Sequence, residues 1–246
     1  HFLFKPVKVI LNTMNEITES EGLKEIELKH KRDELGQIVI AFNTMILKIK
    51  DMIKRQESFV INVSHELKTP ITIIEGYGKL LERWGLENPE IAKESIKHII
   101  EETNRMKNGL IEPMLLLTSL KKRSLINDTI QLDLLAKGIA KKFEVISKRQ
   151  IEIVGQGTVF SNRELIEQIL YIFIDNSIKY SISIIEILIE DNFICVKDSG
   201  SGISEEDIPL IFDRFYRGNK ERSDKKGVGL GLAIANDSAN LLGAKL

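Results

Sequence analysis

Apolar residues recur at alternating three- and four-residue spacing through the first half of the chain. One series runs Leu35, Ile38, Phe42, Met45, Ile49 and Met52; the next runs Val60, Val63, Leu67, Ile74, Tyr77 and Leu81. This spacing gathers apolar side chains into one stripe of a helix. It predicts a long helix that starts at Asp33, a suitable N-cap, and ends near Trp84-Gly85. The stripe changes phase within residues 56–67, a stutter expected to alter supercoiling there. After a turn at Asn88-Pro89, a second long helix is predicted from Glu90, with a seam at Ile96, Ile99, Thr103, Met106, Leu110, Pro113, Leu117 and Leu120. Pro70 and Pro113 fall inside these helices and are expected to kink them. Two antiparallel helices with one apolar stripe each need a partner, and a dimeric four-helix bundle supplies it. Upstream, residues 6–19 read as a further helix (Ile10, Met14, Ile17), and residues 21–31, with Gly22, read as a polar connector.

The pattern changes after Lys121-Lys122-Arg123, a predicted hinge. A helix is expected over 132–148, a short strand over 151–154 and a helix over 162–180. Strands follow near 184–190 and 193–197, and a last helix starts at Gly231. Helices on one side of a mixed sheet make an α/β sandwich. The predicted fold is therefore multidomain: a helical coiled coil and a dimeric four-helix bundle, followed by an α/β sandwich.

Charge and composition exclude more than they assign. With 35 basic and 36 acidic side chains in 246 residues, the chain has no basic field of the kind that binds nucleic acid. Its one cysteine, Cys195, forms no internal disulfide and sits in an apolar strand-like run as a small hydrophobe; this fits a reducing cytoplasm. No apolar run reaches the roughly 18 residues a membrane helix needs. The chain opens His1-Phe2-Leu3-Phe4, without a starting Met. Two expectations follow: a membrane helix just upstream, or a boundary after a soluble domain.

Reactive chemistry concentrates in a few clusters. In Ser64-His65-Glu66-Leu67-Lys68-Thr69-Pro70, His65 lies off the apolar stripe, beside one carboxylate and four residues before Thr69. Such an imidazole is either a nucleophile whose proton has an acceptor or a solvated helix histidine. Downstream come Asp175-Asn176-Ser177-Ile178-Lys179-Tyr180, then Asp198-Ser199-Gly200-Ser201-Gly202-Ile203 after a predicted strand. Ile211-Phe212-Asp213-Arg214-Phe215-Tyr216-Arg217-Gly218 and Gly227-Val228-Gly229-Leu230-Gly231-Leu232 complete the series.

In this order, from His65 to Gly231, the clusters resemble the H, N, G1, F and G2 boxes of the sensor histidine kinases of two-component systems. The resemblance implies three domains: a HAMP-like signal-relay coiled coil over 1–54, a dimerisation and histidine-phosphotransfer hairpin over 55–122, and a GHKL-type ATP-binding domain over 123–246. It implies a homodimer that uses ATP and Mg²⁺ to phosphorylate His65 and passes the phosphoryl group to an aspartate on a response regulator receiver domain. The full-length protein is expected to be anchored in the cell membrane, with this portion cytoplasmic.

The same resemblance assigns roles. Glu66 is the general base. Thr69 orients water where the kinase also dephosphorylates its regulator, or is an exposed helix residue before proline. Asn176 is the magnesium ligand, with Lys179 and Tyr180 near phosphate. Asp198 accepts the adenine amino group, with Gly200, Gly202 and Ile203 around the base; an ordinary strand-end turn is the other reading of Asp-Ser-Gly. Arg214 or Arg217 meets phosphate in a charged lid over 214–226, and Phe212 and Phe215 pack that lid on the core. The backbone N–H groups of Gly227, Val228, Gly229, Leu230, Gly231 and Leu232, at a helix N-terminus, cover the phosphates.

Two departures stand out. Ile172 occupies a position where the family often has a second Asn, which predicts less complete phosphate or metal coordination. The family's domain also continues past G2 with further strands, so the chain reads as a fragment of a working kinase. A signalling scaffold without phosphoryl transfer, and a GHKL ATPase of another kind, are the alternatives.

Overall fold

The computed structural model describes residues 8, 11, 12, 23, 25, 26, 34–119, 126–218 and 227–246. Most of the predicted first helix and half of the HAMP-like module lie outside the described residues. So do Asp33, Leu120, the 121–123 hinge and residues 219–226 of the charged segment. The chain divides into two compact units, 1–64 and 65–246.

Helix α1 (Glu34–Trp84) contributes to both units and runs unbroken through the predicted stutter and through Pro70. In the first unit its buried face is Val39, Phe42 and Ile46, which pack with Ile26 and Leu23 of the connector. The Asn43 side chain accepts from the Ile26 N–H (2.9 Å) and donates to the Ile26 carbonyl (3.0 Å). This pair satisfies the connector's backbone where it has no helix to do so. Of the predicted stripe, Phe42 is buried within the single chain, whereas Ile38, Met45 and Met52 are exposed, and the connector covers the neighbouring face.

The second unit opens with a helical hairpin. Its second arm is α2 (Pro89–Met106), then a π-helical turn over Lys107–Ile111, then α3 (Glu112–Ser119). Asn88 caps α2 by accepting from the Glu90 and Ile91 N–H groups, and Pro89 takes the first helical position, where no N–H is needed. The π turn was not legible in the sequence. It lies directly before Pro113, and the Glu112 N–H reaches five residues back to Lys107. A proline ring crowds the carbonyl four residues earlier, and a widened turn relieves that contact.

The α/β part contains β1 (Asp128–Gln131), α4 (Leu132–Ser147), β2 (Ile151–Gly155), β3 (Thr158–Ser161) and α5 (Arg163–Tyr180). It continues with β4 (Ile185–Glu190), β5 (Phe193–Lys197) and α6 (Gly231–Leu242). One sheet has the order β2-β4-β5, with β2 parallel and β5 antiparallel to β4; β1 and β3 pair separately, antiparallel. The sequence pattern missed β1 and β3, each only four residues long. In β4 the alternation is clear: Ile185, Ile187 and Ile189 are buried against α4 and α5. Cys195 sits half-buried on β5.

A second apolar cluster joins hairpin and α/β part. Leu110 and Leu117 of the hairpin are buried with Leu165 of α5, Leu230, and Ile234 of α6, and Leu67, Ile172, Phe215 and Val228 pack around them. Burying a leucine is worth about 1.5–3 kcal/mol, so this shared core ties the two parts together.

Candidate active site

The chemistry-bearing segments converge on one wide cleft. Helix α5 brings Asn176, Lys179 and Tyr180 to it, the turn after β5 brings Asp198, Gly200, Gly202 and Ile203, and the segment before α6 brings Gly227 to Leu232. Phe212 and Arg217 line it too, and Glu66 reaches the wall from the hairpin. His65 and Thr69 are exposed on the same helix but are not part of the lining.

Asp198 is held in place from two sides. Its Oδ2 accepts from the Ser177 hydroxyl (2.9 Å), and its Oδ1 accepts from the Gly200 N–H (2.8 Å). These bonds fix the carboxylate while each oxygen keeps a lone pair for a donor in the cleft. Ser177 is itself buried, so the donor end of this bond is shielded while Asp198 stays exposed to the cleft. Sequence reading passed over Ser177, although it directly follows Asn176. Gly200 is required by packing: a Cβ there would lie 2.7 Å from the Tyr180 carbonyl oxygen.

Asn176 is half-buried on α5, and among the described residues its side chain makes no hydrogen bond. A single neutral carbonyl oxygen on the cleft wall fits Mg²⁺, which keeps most of its waters and takes few protein ligands. Lys179 is less free than the sequence implies, because its ammonium pairs with Asp175 one turn back at 2.5 Å. Ile172, the departure noted above, is half-buried: it packs against the shared core, its Cγ2 3.4 Å from where a Gly231 Cβ would sit, and it also lines the cleft.

The F segment meets the G2 segment backbone to backbone. The Phe215 N–H donates to the Gly229 carbonyl (2.8 Å), with Phe215 at φ +65° and Gly229 at φ +77°. A bulky residue at positive φ is strained and persists only where surrounding contacts enforce it. Phe215 packs into the shared core, as expected for an anchor. The choice between the two arginines is narrowed: Arg217 lines the cleft, whereas Arg214 donates to Asp237 of α6 (3.2 Å) and is absent from the lining.

Asp207, also on the cleft, accepts from the Tyr216 hydroxyl (2.5 Å). That bond first, and one from Ser204 second, hold its carboxyl below the ordinary carboxylate range. A lowered folded-state value means the stabilisation is present above the ordinary carboxylate pKa and is lost as pH falls through the folded one. Tyr216→Phe is expected to move the Asp207 titration midpoint up toward the ordinary value, as read by carboxyl carbon NMR. An unchanged midpoint would assign the shift to Ser204.

Comparisons place this geometry among known proteins. Residues 55–123 match the His Kinase A (phospho-acceptor) domain, and residues 161–246 match the histidine kinase-, DNA gyrase B- and HSP90-like ATPase. The chain is 36% identical over 253 residues to the sensor histidine kinase YkoH of Bacillus subtilis, covering 99% of this chain and 56% of that protein. It is 33% identical to the signal transduction histidine-protein kinase ArlS of Staphylococcus epidermidis, covering 98% and 56%. The chain thus spans about half the length of these relatives. Among solved structures, the Acinetobacter baumannii histidine kinase AdeS aligns with a TM-score of 0.52 at 24% identity, over 72% of this chain and 86% of that one, a likeness of fold. With a phospho-acceptor hairpin and this ATPase domain in one chain, aligned nearly end to end with two such kinases, the protein belongs to the sensor histidine kinases of two-component systems.

Proposed function

We propose that this chain is the catalytic portion of a membrane-anchored sensor kinase, which binds ATP in the cleft and phosphorylates His65. The observation that carries the reading is Asp198, oriented by Ser177 and Gly200 in a cleft that also holds Asn176, the G2 backbone and Glu66. A fixed carboxylate accepts from the exocyclic amino group of adenine and repels the O6 of guanine. Asn176 would hold Mg²⁺, which neutralises phosphate charge when bound. Arg217 and the N–H groups around Gly229 face the phosphates.

In the reaction, a ring nitrogen of His65 attacks the γ-phosphorus, and the bond from γ-phosphorus to the β,γ-bridging oxygen breaks. ADP leaves with that electron pair, and Glu66 takes the imidazole proton. The resulting phosphoramidate is labile enough to pass to an aspartate of a response regulator. Thr69, on the His65 face of α1, would orient water when the regulator is dephosphorylated.

The reading includes a homodimer. Ile38, Met45 and Met52 form an exposed stripe at seven-residue spacing along α1, Val60 and Ile61 are exposed further along it, and Ile96 and Ile100 are exposed on α2. Stripes of this kind are covered when two copies form a parallel coiled coil and a four-helix bundle. The HAMP-like relay over residues 1–54 belongs to the same proposal, as do the domain limits at 55 and 123. No described helix is long and apolar enough to cross a membrane.

The test is incubation with γ-labelled ATP and Mg²⁺. Acid-labile, base-stable label on the protein is expected. Tight ADP binding with no label in a chain completed to the length of its relatives would overturn the kinase reading in favour of a nucleotide-binding scaffold.

A further inference from the structure

We infer that Arg149, between α4 and β2, is a positioning residue for the nucleotide site, acting through the last turn of α5. The inference rests on the reading of Asp198 as the adenine acceptor.

Lys148 closes α4 in the left-handed conformation (φ +56°), its N–H returning to the Glu144 carbonyl. This reversal aims the half-buried Arg149 across the domain at α5, nearly thirty residues away in sequence. Its guanidinium donates to three main-chain carbonyls: Ile178 (3.0 Å), Ser183 (3.2 Å) and, at the limit of range, Ser177 (3.5 Å). The Ser177 carbonyl already accepts the Ser181 N–H (3.0 Å), whereas carbonyls of the last turn such as that of Ile178 lack a partner within a helix and carry the negative end of its dipole. Arg149 therefore caps α5 and fastens the 181–183 loop to it.

The same turn also meets the proposed adenine site. Ser177 donates its hydroxyl to Asp198, and the Tyr180 carbonyl is the surface on which Gly200 rests. The last turn of α5 is thus held between Arg149 and the Asp198–Gly200 turn. If Arg149 is lost, the end of α5 frays, the Ser177 hydroxyl shifts, and Asp198 loses the bond that orients Oδ2. A lysine cannot substitute, because one ammonium lacks the planar fork that reaches carbonyls on two segments.

The experiment is calorimetric titration of the 246-residue chain with Mg-ADP and Mg-GDP. The variants are Arg149→Gln, Arg149→Lys, Asp198→Asn and Arg163→Gln, the last an exposed arginine paired only along α5. The unaltered chain is expected to prefer ADP. Both Arg149 variants should weaken ADP binding by about tenfold, the equivalent of one or two lost hydrogen bonds, and narrow the ADP preference. Arg163→Gln should leave both unchanged. A purely structural arginine would lower the number of binding-competent molecules without changing affinity or base preference. That result, together with loss of preference in Asp198→Asn, would overturn the inference alone. An intact preference in Asp198→Asn would overturn the adenine reading and the inference with it. Arg149→Lys, which keeps the charge and the apolar stem, carries the test if Arg149→Gln does not fold.

Discussion

His65→Gln is expected to abolish labelling from γ-labelled ATP while leaving ADP affinity unchanged. His65 is exposed on α1 and lies outside the lining of the cleft. Glutamine is a good helix former, and a surface exchange of this kind shifts stability by no more than about 0.5 kcal/mol. Folding and nucleotide binding should therefore survive. The nucleophile does not: an amide nitrogen's lone pair is delocalised into its carbonyl, so nothing at this position can attack phosphorus. The prediction is checked by acid and base treatment of the labelled protein, with ADP titration in parallel. Residual acid-labile label in His65→Gln would place the acceptor elsewhere, and His98, on the face of α2 stacked against Tyr77, would be the next residue to replace.

Gly229→Ala is expected to remove nucleotide binding by disrupting the junction of the F and G2 segments, whereas Gly227→Ala should be tolerated. The contrast is between two glycines of one motif. At Gly229 a Cβ would lie 2.7 Å from the Tyr216 carbonyl oxygen, 2.8 Å from the Phe215 carbonyl carbon and 3.0 Å from the Phe215 Cα. All three are main-chain atoms, which cannot step aside as a flexible side chain does. The positive φ adds strain of about 1–2 kcal/mol for any residue with a Cβ. The segments must separate, which breaks the bond from the Phe215 N–H to the Gly229 carbonyl and releases Phe215 from its own strained conformation. At Gly227 a Cβ meets nothing within 4 Å. ADP titration and thermal melting of both variants test this: equal losses in the two would show that glycine at G2 serves loop entropy and not the backbone crossing.

The sequence by itself determined the hairpin, the three-and-four seam, the β4 alternation and the order of the reactive segments. These rest on local regularities, because a helix or strand repeats its facing residues at a fixed period. His65, Asn176 and Asp198 stood out through the resemblance of their segments to the family's boxes, not through a period. The tertiary structure decided what depends on contacts distant in sequence. That a second face of α1, at Val39 and Ile46, is covered by Leu23 and Ile26 depends on the connector folding back, which the period of α1 does not show. The four-residue strands β1 and β3 exist because they pair with each other, and neither is long enough to display a period. Ile172 reads as a defect in a motif until Gly231 and the hairpin leucines are brought against it. Arg214 and Arg217 are equivalent in sequence; in the fold Arg214 pairs with Asp237 of α6 and Arg217 lines the cleft. Ser177 and Arg149 carry no motif of their own. Their part in the site arises where α4, α5 and the turn after β5 meet, since a hydrogen bond across the fold requires both partners to be placed before it can form.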